Sequence, residues 1–387
     1  MMKSRLQKID WIIVIILFVF MFASTMIVRS AVMESTMFAG IHTRHMLNYG
    51  LGFIVLFGAA FINYRIFLKW APYLYALGVT SLVAVYFLGI TKNGARGWFS
   101  IPGLGLDIQP AEVMKLFIIL LLAYYLAKRN GELLRLSDDV MPASVFVIVP
   151  FMLVLSQPDL GNAVIYMVIL IGMLWNANIK YTHVFAGVGL ATAIIAGGLY
   201  VVTVFHDPMD RFLSANGAGH WMDRIDAYLS PEQASSDQSY QLQNSMMAIG
   251  SGALLGEGYL QGSSVHSSRI PYTYSDSIFV VIAEEFGFIG SSTLLLLYFL
   301  LIYRLILISI QINEPGGSYI IAGMVSMFVF QIFQNIGMFL AILPLTGITL
   351  PFISYGGSSL LINMLSIGLA LSIRVYAKEE LIEDITK

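Results

Sequence analysis

Cysteine is absent from the 387 residues, and with it go disulfides, thiolate metal sites and thiol nucleophiles. Charge is scarce as well. Asp, Glu, Lys and Arg together make 11% of the chain, against roughly a quarter in soluble domains. The formal net charge is −2 and no basic run extends beyond Lys128-Arg129, so nothing here suits a nucleic-acid backbone. Histidine is sparse too. Of six, only His42 and His45 stand at a metal-ligand spacing, and no third histidine or carboxylate accompanies them.

What the chain has in quantity is apolar side chains, 58% of its residues, with a mean hydropathy of +0.79. A membrane helix needs around 20 mostly apolar residues, and about ten stretches read as candidates. They are Trp11–Val28, Met46–Ile62, Ala71–Ile90, Val113–Ala127, Met141–Leu155, Ala163–Trp175, Val184–Phe205, Ile278–Leu307, Tyr319–Leu343 and Leu360–Ile373. The expectation is a single all-α polytopic membrane domain over residues 1–387. An even number of crossings puts both termini on one side.

Lysine and arginine choose that side. Lys3, Arg5, Lys8, Arg65, Lys69, Lys128, Arg129, Arg135, Lys180, Arg304, Arg374, Lys378 and Lys387 share the face of the termini, whereas the short loops opposite hold only Arg29, Arg44, Lys92 and Arg96. The positive-inside rule makes the termini cytoplasmic. Lys3, Arg5 and Lys8 before an apolar run also fit a signal peptide, but Trp11–Val28 lacks a clear cleavage site and reads as a retained helix. Between the seventh and eighth candidates lies one long extracytoplasmic loop, about 206–274. Loops of that length are functional or disordered. Its centre, "SPEQASSDQS", reads as mobile; "YQLQNSMMAIGSGALLGEGYLQGSSV" reads as a short helix followed by glycine-permitted turns.

Ionisable residues at membrane depth default to a functional reading, and here they gather at the outer end. "KNGARGWFSIPGLGLDIQPAEVMKL" carries Lys92, Arg96, Gln109, Glu112 and Lys115. Glu112 and Lys115, three apart, share a helix face and suit either a buried structural pair or a site. Asp159 in "QPDLG" suits an N-cap or chemistry. "LPLTGITLPFISYGGSS" (residues 343–359) cannot be a regular lipid-facing helix; irregular backbone at that depth is buried in protein or lines a cavity. Its Gly and Ser amides suit an anion. Asp276 in "TYSDSIFVVIAEEFGF" opens an apolar run, as a helix cap or as a working acid. Glu284 and Glu285 lie about 12 and 13.5 Å further along that helix, where a cation such as Lys115 or Arg96 is expected to pair with one of them. Transport routes spread polar residues through the membrane; these cluster at one end, which favours chemistry on an amphiphile in the outer leaflet.

The motifs "NGARGWF", "IQPAEVMKL", "QPDLG", "RIDAYLSP", "YQLQNSMMAIGSGALLGEG", "SDSIFVVIAEEFGFIG", "FQNIGM" and "LPLTGITLPFISYGGSS", in this order, resemble those of the SEDS (shape, elongation, division and sporulation) proteins, which include RodA and FtsW. "FQNIGM" leans toward RodA. The resemblance implies a peptidoglycan glycosyltransferase of the bacterial cytoplasmic membrane, acting in cell elongation or division. It would polymerise lipid II into glycan strands on the outer face and release undecaprenyl diphosphate, with a class B penicillin-binding protein as partner. The family's essential aspartate, in "TDFIF", falls on Asp276 in "SDSIF", and its conserved arginine and lysine fall on Arg96 and Lys115. The other motifs put Glu112, Asp159, Arg224, Gln241, Glu284, Ser354, Gly356, Gly357 and Ser358 among the expected substrate contacts. No cofactor is required, although a divalent cation (magnesium or manganese) held by Asp276 with Glu284 or Asp159 is compatible with diphosphate chemistry.

The chain departs from the pattern where Pro271-Tyr272 replaces Pro-Glu, Ser277 replaces phenylalanine, and Gly252-Ala253 replaces a glycine pair. A lipid-linked precursor flippase, which needs a polar route open to both faces, and a non-catalytic scaffold, which would tolerate loss of Asp276, are the competing readings. The orientation is directly testable because the chain has no cysteine of its own. A cysteine at Ser235 should react with an impermeant maleimide in intact cells and one at Ser137 should not; the opposite pattern would invert the topology.

Overall fold

A computed structural model describes residues 2–33, 40–92, 95–101, 106–215, 237–267 and 270–386. The helices are α1 (Met2–Lys8), α2 (Trp11–Ala31), α3 (Ile41–Phe61), α4 (Tyr64–Leu88), α5 (Pro110–Leu126), α6 (Met141–Leu155), α7 (Leu160–Asn176), α8 (Tyr181–Val204), α9 (His206–Ala215), α10 (Asp237–Ser251), α11 (Ser263–His266), α12 (Ile278–Ile310), α13 (Pro315–Phe339) and α14 (Gly357–Thr386). Every apolar stretch expected from the sequence is helical over most of its length. Seven of these regions are long and apolar enough to cross a membrane, and Leu160–Asn176 is a shorter apolar helix. The chain is a polytopic helical membrane protein.

Local chemistry sets the helix starts. Asp10 accepts from Ile12 N at 3.2 Å and Asn63 from Arg65 N at 3.0 Å, each capping the helix that follows. Pro110 and Pro315 sit in the first turns of α5 and α13, where their missing N–H costs nothing. The core runs through α5, α7, α13 and α14, whose buried faces include Leu120, Leu122, Ile169, Met324, Met364 and Leu369. α8 is exposed along most of its described length.

The all-α expectation needs one correction. Residues between α4 and α5 form a three-stranded antiparallel sheet, β1 (Ile90–Lys92), β2 (Ala95–Ile101) and β3 (Leu106–Ile108). Ile90 pairs with Trp98 and Phe99 with Ile108. The alternation of "RGWFSI" is the period-2 signal that belongs to a strand.

In the long loop, the centre around "SPEQASSDQS" and Arg224 lies outside the described residues. The second half folds as expected, α10 then turns with left-handed Ala253, Gly256, Gly258 and Leu260. These turns lie along α12 rather than above it. Phe288 N donates to Ala253 O at 2.9 Å and Glu257 N to Glu284 O at 2.9 Å. α12 makes room by kinking at Gly287 (φ 62°, ψ −156°), a conformation essentially reserved for glycine. A Cβ there would stand 2.4 Å from Gly256 N and 2.6 Å from Gly252 O. Gly287→Ala should therefore lower the thermal midpoint of the purified protein, by at least the roughly 1–3 kcal/mol of such backbone strain. Gly250→Ala, where a Cβ meets nothing within 4 Å, is the control that should not. Equal midpoints for the two variants would show that the kink does not depend on glycine.

Candidate active site

At the end of the bundle that holds the sheet, one cavity of about 660 Å³ collects side chains from every cluster noted in the sequence. Its lining includes Asp276, Glu112, Asp159, Gln241, Gly356, Gly357 and Ser358, together with Trp98, Asp107, Gln109, Tyr272, Tyr274 and Tyr355. Residues far apart in the chain are joined there by hydrogen bonds. Gln109 Nε2 donates to Asp159 Oδ2 at 2.9 Å, and Gln109 N donates to Ser358 Oγ at 3.1 Å. Ser358 Oγ in turn donates to Asp107 O.

Asp276 stands just before α12. The N-cap position belongs to Ser277, whose side chain makes no cap bond. Ser277 Oγ instead donates to Pro271 O at 2.9 Å and accepts from Gln241 Nε2 at 3.2 Å. Among the described residues no cation pairs with Asp276. Burial pushes its carboxyl up to about 6, against the pull of the backbone amides of Asp276 and Ser277 toward the charged form. The side chain is only partly covered, so the cavity tempers the cost of its charge.

Its position is fixed by a residue that the sequence presents only as part of the "FQNIGM" motif. Asn335 on α13 spends one amide hydrogen on Asp276 O (2.8 Å) and the other on Ile348 O (2.7 Å). Beside it Gln334 Nε2 donates to Pro344 O at 3.0 Å and Thr346 Oγ1 at 3.1 Å. The next carbonyls of that irregular segment are met by hydroxyls. Tyr298 donates to Pro351 O, Tyr49 to Phe352 O and Ser24 to Ile353 O. The sequence does carry a signal for this: buried amides and hydroxyls on apolar helices have to be spent on something.

Glu112 and Lys115 pair at 2.7 Å as their spacing implies, and Lys115 is fully buried. The two charges touch without good hydrogen-bond alignment. Glu112 lines the cavity and Lys115 does not. Asp159 both lines the cavity and caps α7, accepting from Asn162 N at 3.0 Å and Asn162 Nδ2 at 2.8 Å. Burial raises its carboxyl above the ordinary range while Asn162 opposes the shift.

Besides Lys115, two further expected contacts lie off the cavity. Glu284 does not reach the cavity; its oxygens accept from Ser264 N (2.7 Å) and Val265 N (3.0 Å), because the re-entering loop brings the start of α11 against it. Ser354 turns into its own segment and accepts from Leu350 N at 2.8 Å. Of the two cations expected to pair with Glu284 or Glu285, Lys115 does not do so, and the side chain of Arg96 lies outside the described residues. Lys115 is held by Glu112, while Glu285 takes Ser30 Oγ and lies 3.4 Å from His266 Nε2. The backbone of Arg96 belongs to β2; its side chain, and Arg224 altogether, fall outside the described residues.

Fold and site thus define a polytopic membrane protein with an acidic, aromatic-lined cavity at one end of its helices. The family model for FtsW, RodA and SpoVE, described as cell cycle protein, matches residues 5–379. The chain belongs to this family. It is 32% identical over 339 residues to stage V sporulation protein E of Bacillus subtilis, covering 87% of both chains. It is 31% identical over 356 residues to peptidoglycan glycosyltransferase MrdB of Escherichia coli, covering 88% of this chain and 87% of that one. Among solved structures, RodA of Thermus thermophilus superposes with a TM-score of 0.67 at 25% identity, over 95% of this chain and 97% of that chain. A chain from work on the structural coordination of polymerization and crosslinking by a peptidoglycan synthase complex gives 0.76 at 27% identity, over 95% and 97%.

Asn335→Leu tests the support of the aspartate. It strands two carbonyls, each costing about 1–3 kcal/mol when left unsatisfied, so the thermal midpoint and the activity per folded molecule should both fall. Wild-type values for both would show that Asp276 and residues 343–359 keep their places without it.

Proposed function

We propose that this chain is a peptidoglycan glycosyltransferase that polymerises lipid II at the outer face of the cytoplasmic membrane. The observation that carries the reading is the placement of Asp276. Its raised carboxyl lines one cavity with the Gly-Gly-Ser head of α14, in a family that includes named peptidoglycan glycosyltransferases. In each addition a sugar 4-hydroxyl attacks an anomeric carbon. Asp276 takes the hydroxyl proton as general base, the bond from that carbon to the diphosphate oxygen breaks, and undecaprenyl diphosphate leaves with the electron pair. A single displacement inverts the anomeric centre and needs one base rather than a pair of acids.

The leaving group is anionic, and the cavity must hold it. Gly356, Gly357 and Ser358 lie where α14 begins; first-turn amides have no intrahelical acceptor and face the positive end of the helix dipole. Lys115 is spent on its pair with Glu112 and stands off the cavity lining. Arg96 and Arg224 are the cations assigned to the diphosphate by motif. Of the two partners expected for Asp276 around a divalent cation, Glu284 lies off the cavity with its oxygens accepting amides, and Asp159 lines the cavity. Among the described residues no three His, Asp or Glu side chains gather for one, and no step is assigned to a metal.

The charge bias of the loops supports cytoplasmic termini and a cavity that opens outside. A class B penicillin-binding protein is the expected partner, crosslinking the strands this chain makes for elongation, division or sporulation.

Asp276→Asn keeps the size of the side chain and removes the base. Purified with its partner and given lipid II, it should fold normally and lose on the order of 10²–10⁴ in polymerisation rate. The wild-type rate should fall as pH drops through about 6, where Asp276 takes up its proton. Stability has the opposite sign. A carboxyl raised from 3.8 to about 6 contributes stability that is present below the lower value and lost as pH rises through the higher one. The Asn variant should therefore be at least as stable as wild type at pH 7. Near-wild-type polymerisation by Asp276→Asn would remove the base from the mechanism.

A further inference from the structure

The turn that presents Asp276 contains a residue poorly suited to making it. Tyr272 has φ +55°, a left-handed conformation that glycine adopts freely and that asparagine or aspartate can support with a short polar side chain. Tyrosine has neither advantage. Its carbonyl accepts from Ser275 N at 2.9 Å and Ser277 N at 3.3 Å, so this strained unit is the hinge on which Asp276 is mounted. The ring gains little packing in return, because the residue is 41% exposed. It lines the cavity. A side chain kept at a strained position without burial points to a use outside the fold.

We propose that Tyr272 is a sugar-ring platform, its ring lying against the apolar face of a pyranose in the cavity beside Asp276. The proposal rests on the glycosyltransferase reading. A pyranose has one face of C–H groups and a rim of hydroxyls, so it suits a flat aromatic surface flanked by polar groups. The lining offers that combination: Tyr272, Tyr274, Tyr355 and Trp98 supply rings, Gln241 and Asp107 supply polar atoms. The rings are close together. Tyr274 and Tyr355 meet edge to face at 6.0 Å, and the Tyr274 phenol, raised chiefly by burial, is raised further by Tyr272, Asp276 and Tyr355. The ring at position 272 thus stands within electrostatic reach of the Tyr274 phenol. Held there, a sugar would present its hydroxyl to the carboxylate that the same turn carries.

The test uses the full chain, lipid II polymerisation and thermal midpoints. Tyr272→Ala should raise KM about tenfold, the scale of one lost aromatic contact, with a smaller change in kcat. Tyr272→Phe, which keeps the ring, should recover most of that loss. Tyr272→Gly is decisive: it relieves the strain, so its midpoint should equal or exceed wild type, yet its KM should match Tyr272→Ala. Wild-type KM in the Gly variant would make the residue a backbone element only and overturn the proposal. Unchanged KM in Tyr272→Ala with a lowered midpoint would make it an interfacial anchor and overturn the proposal equally. If the wild-type chain makes no polymer at all, the glycosyltransferase reading fails instead. Saturation-transfer NMR with soluble N-acetylglucosaminyl-N-acetylmuramic acid then still reads the platform, which stands if Tyr272→Ala loses the signal and falls if it keeps it.

Discussion

Irregular backbone between α13 and α14 sets the terms for the rest of the structure. Residues 343–356 form no regular helix or strand, and a carbonyl left unpaired in an apolar interior costs several kcal/mol by the more severe transfer scales, roughly 2–7. The partners come from four helices: Ser24 on α2, Tyr49 on α3, Tyr298 on α12, and Gln334 with Asn335 on α13. Each of these helices must therefore keep its rotation as well as its place. The network even fixes a tautomer. Ser24 has one hydroxyl hydrogen, spent on Ile353 O, so His45 Nε2, 2.6 Å away, must be the donor of that pair. Hydrogen bonds that satisfy the segment thereby hold the cavity wall made by residues 345–349 and 355–359.

Charge is handled differently at the two ends of the bundle. At the end that carries the termini, acids are consumed by pairing. Asp10, almost fully buried, receives Arg304 and Arg374; Glu314 receives Arg65; Asp139 receives Arg129 at 2.7 Å. These contacts tie α2 to α12 and α14, and α4 to α13. At the other end Asp107, Glu112, Asp159 and Asp276 all face one cavity. Burial there raises the cost of ionising Asp276 and Asp159. For Asp276 that cost is useful, since a base must be basic enough to take a proton. For an anionic substrate the four acids are a penalty, which the helix head of α14 can offset.

Much of this is legible in the sequence, for physical reasons. Apolar runs dictate helices in a membrane because no other open structure satisfies the backbone, so every expected helix forms. The polar clusters point to one site because charge at membrane depth has few alternatives. Glu112 and Lys115 meet because their spacing puts them on one face. The sequence misleads where tertiary contact overrides position along the chain. Glu284 sits about two turns below Asp276, yet the loop carrying α11 folds down beside it and claims both its oxygens. Ser354 belongs to a segment rich in hydroxyls, but a tight turn gives it a local amide. The sheet is hidden because its strands are too short to outweigh the helices around them. The importance of Asn335 cannot be seen without the two carbonyls it bridges, 59 residues and 13 residues away.

Three carboxylates within ten residues, Asp276, Glu284 and Glu285, show how position rather than residue type assigns the work. Glu284 is completely buried and takes two amides in hydrogen bonds of 2.7 and 3.0 Å, so its charge is spent on fixing α11. Glu285 takes the Ser30 hydroxyl and meets His266, linking α12 to α2 and to the same short helix. Both hold the re-entering loop, and the loop holds Gln241 through α10. Among the described residues, Asp276 differs in having only the adjacent amides for its charge and a cavity beside it. Neither glutamate lines the cavity, so neither can reach a substrate proton. The two glutamates therefore anchor the re-entering loop, and the aspartate, with few partners among the described residues, remains free to take a proton.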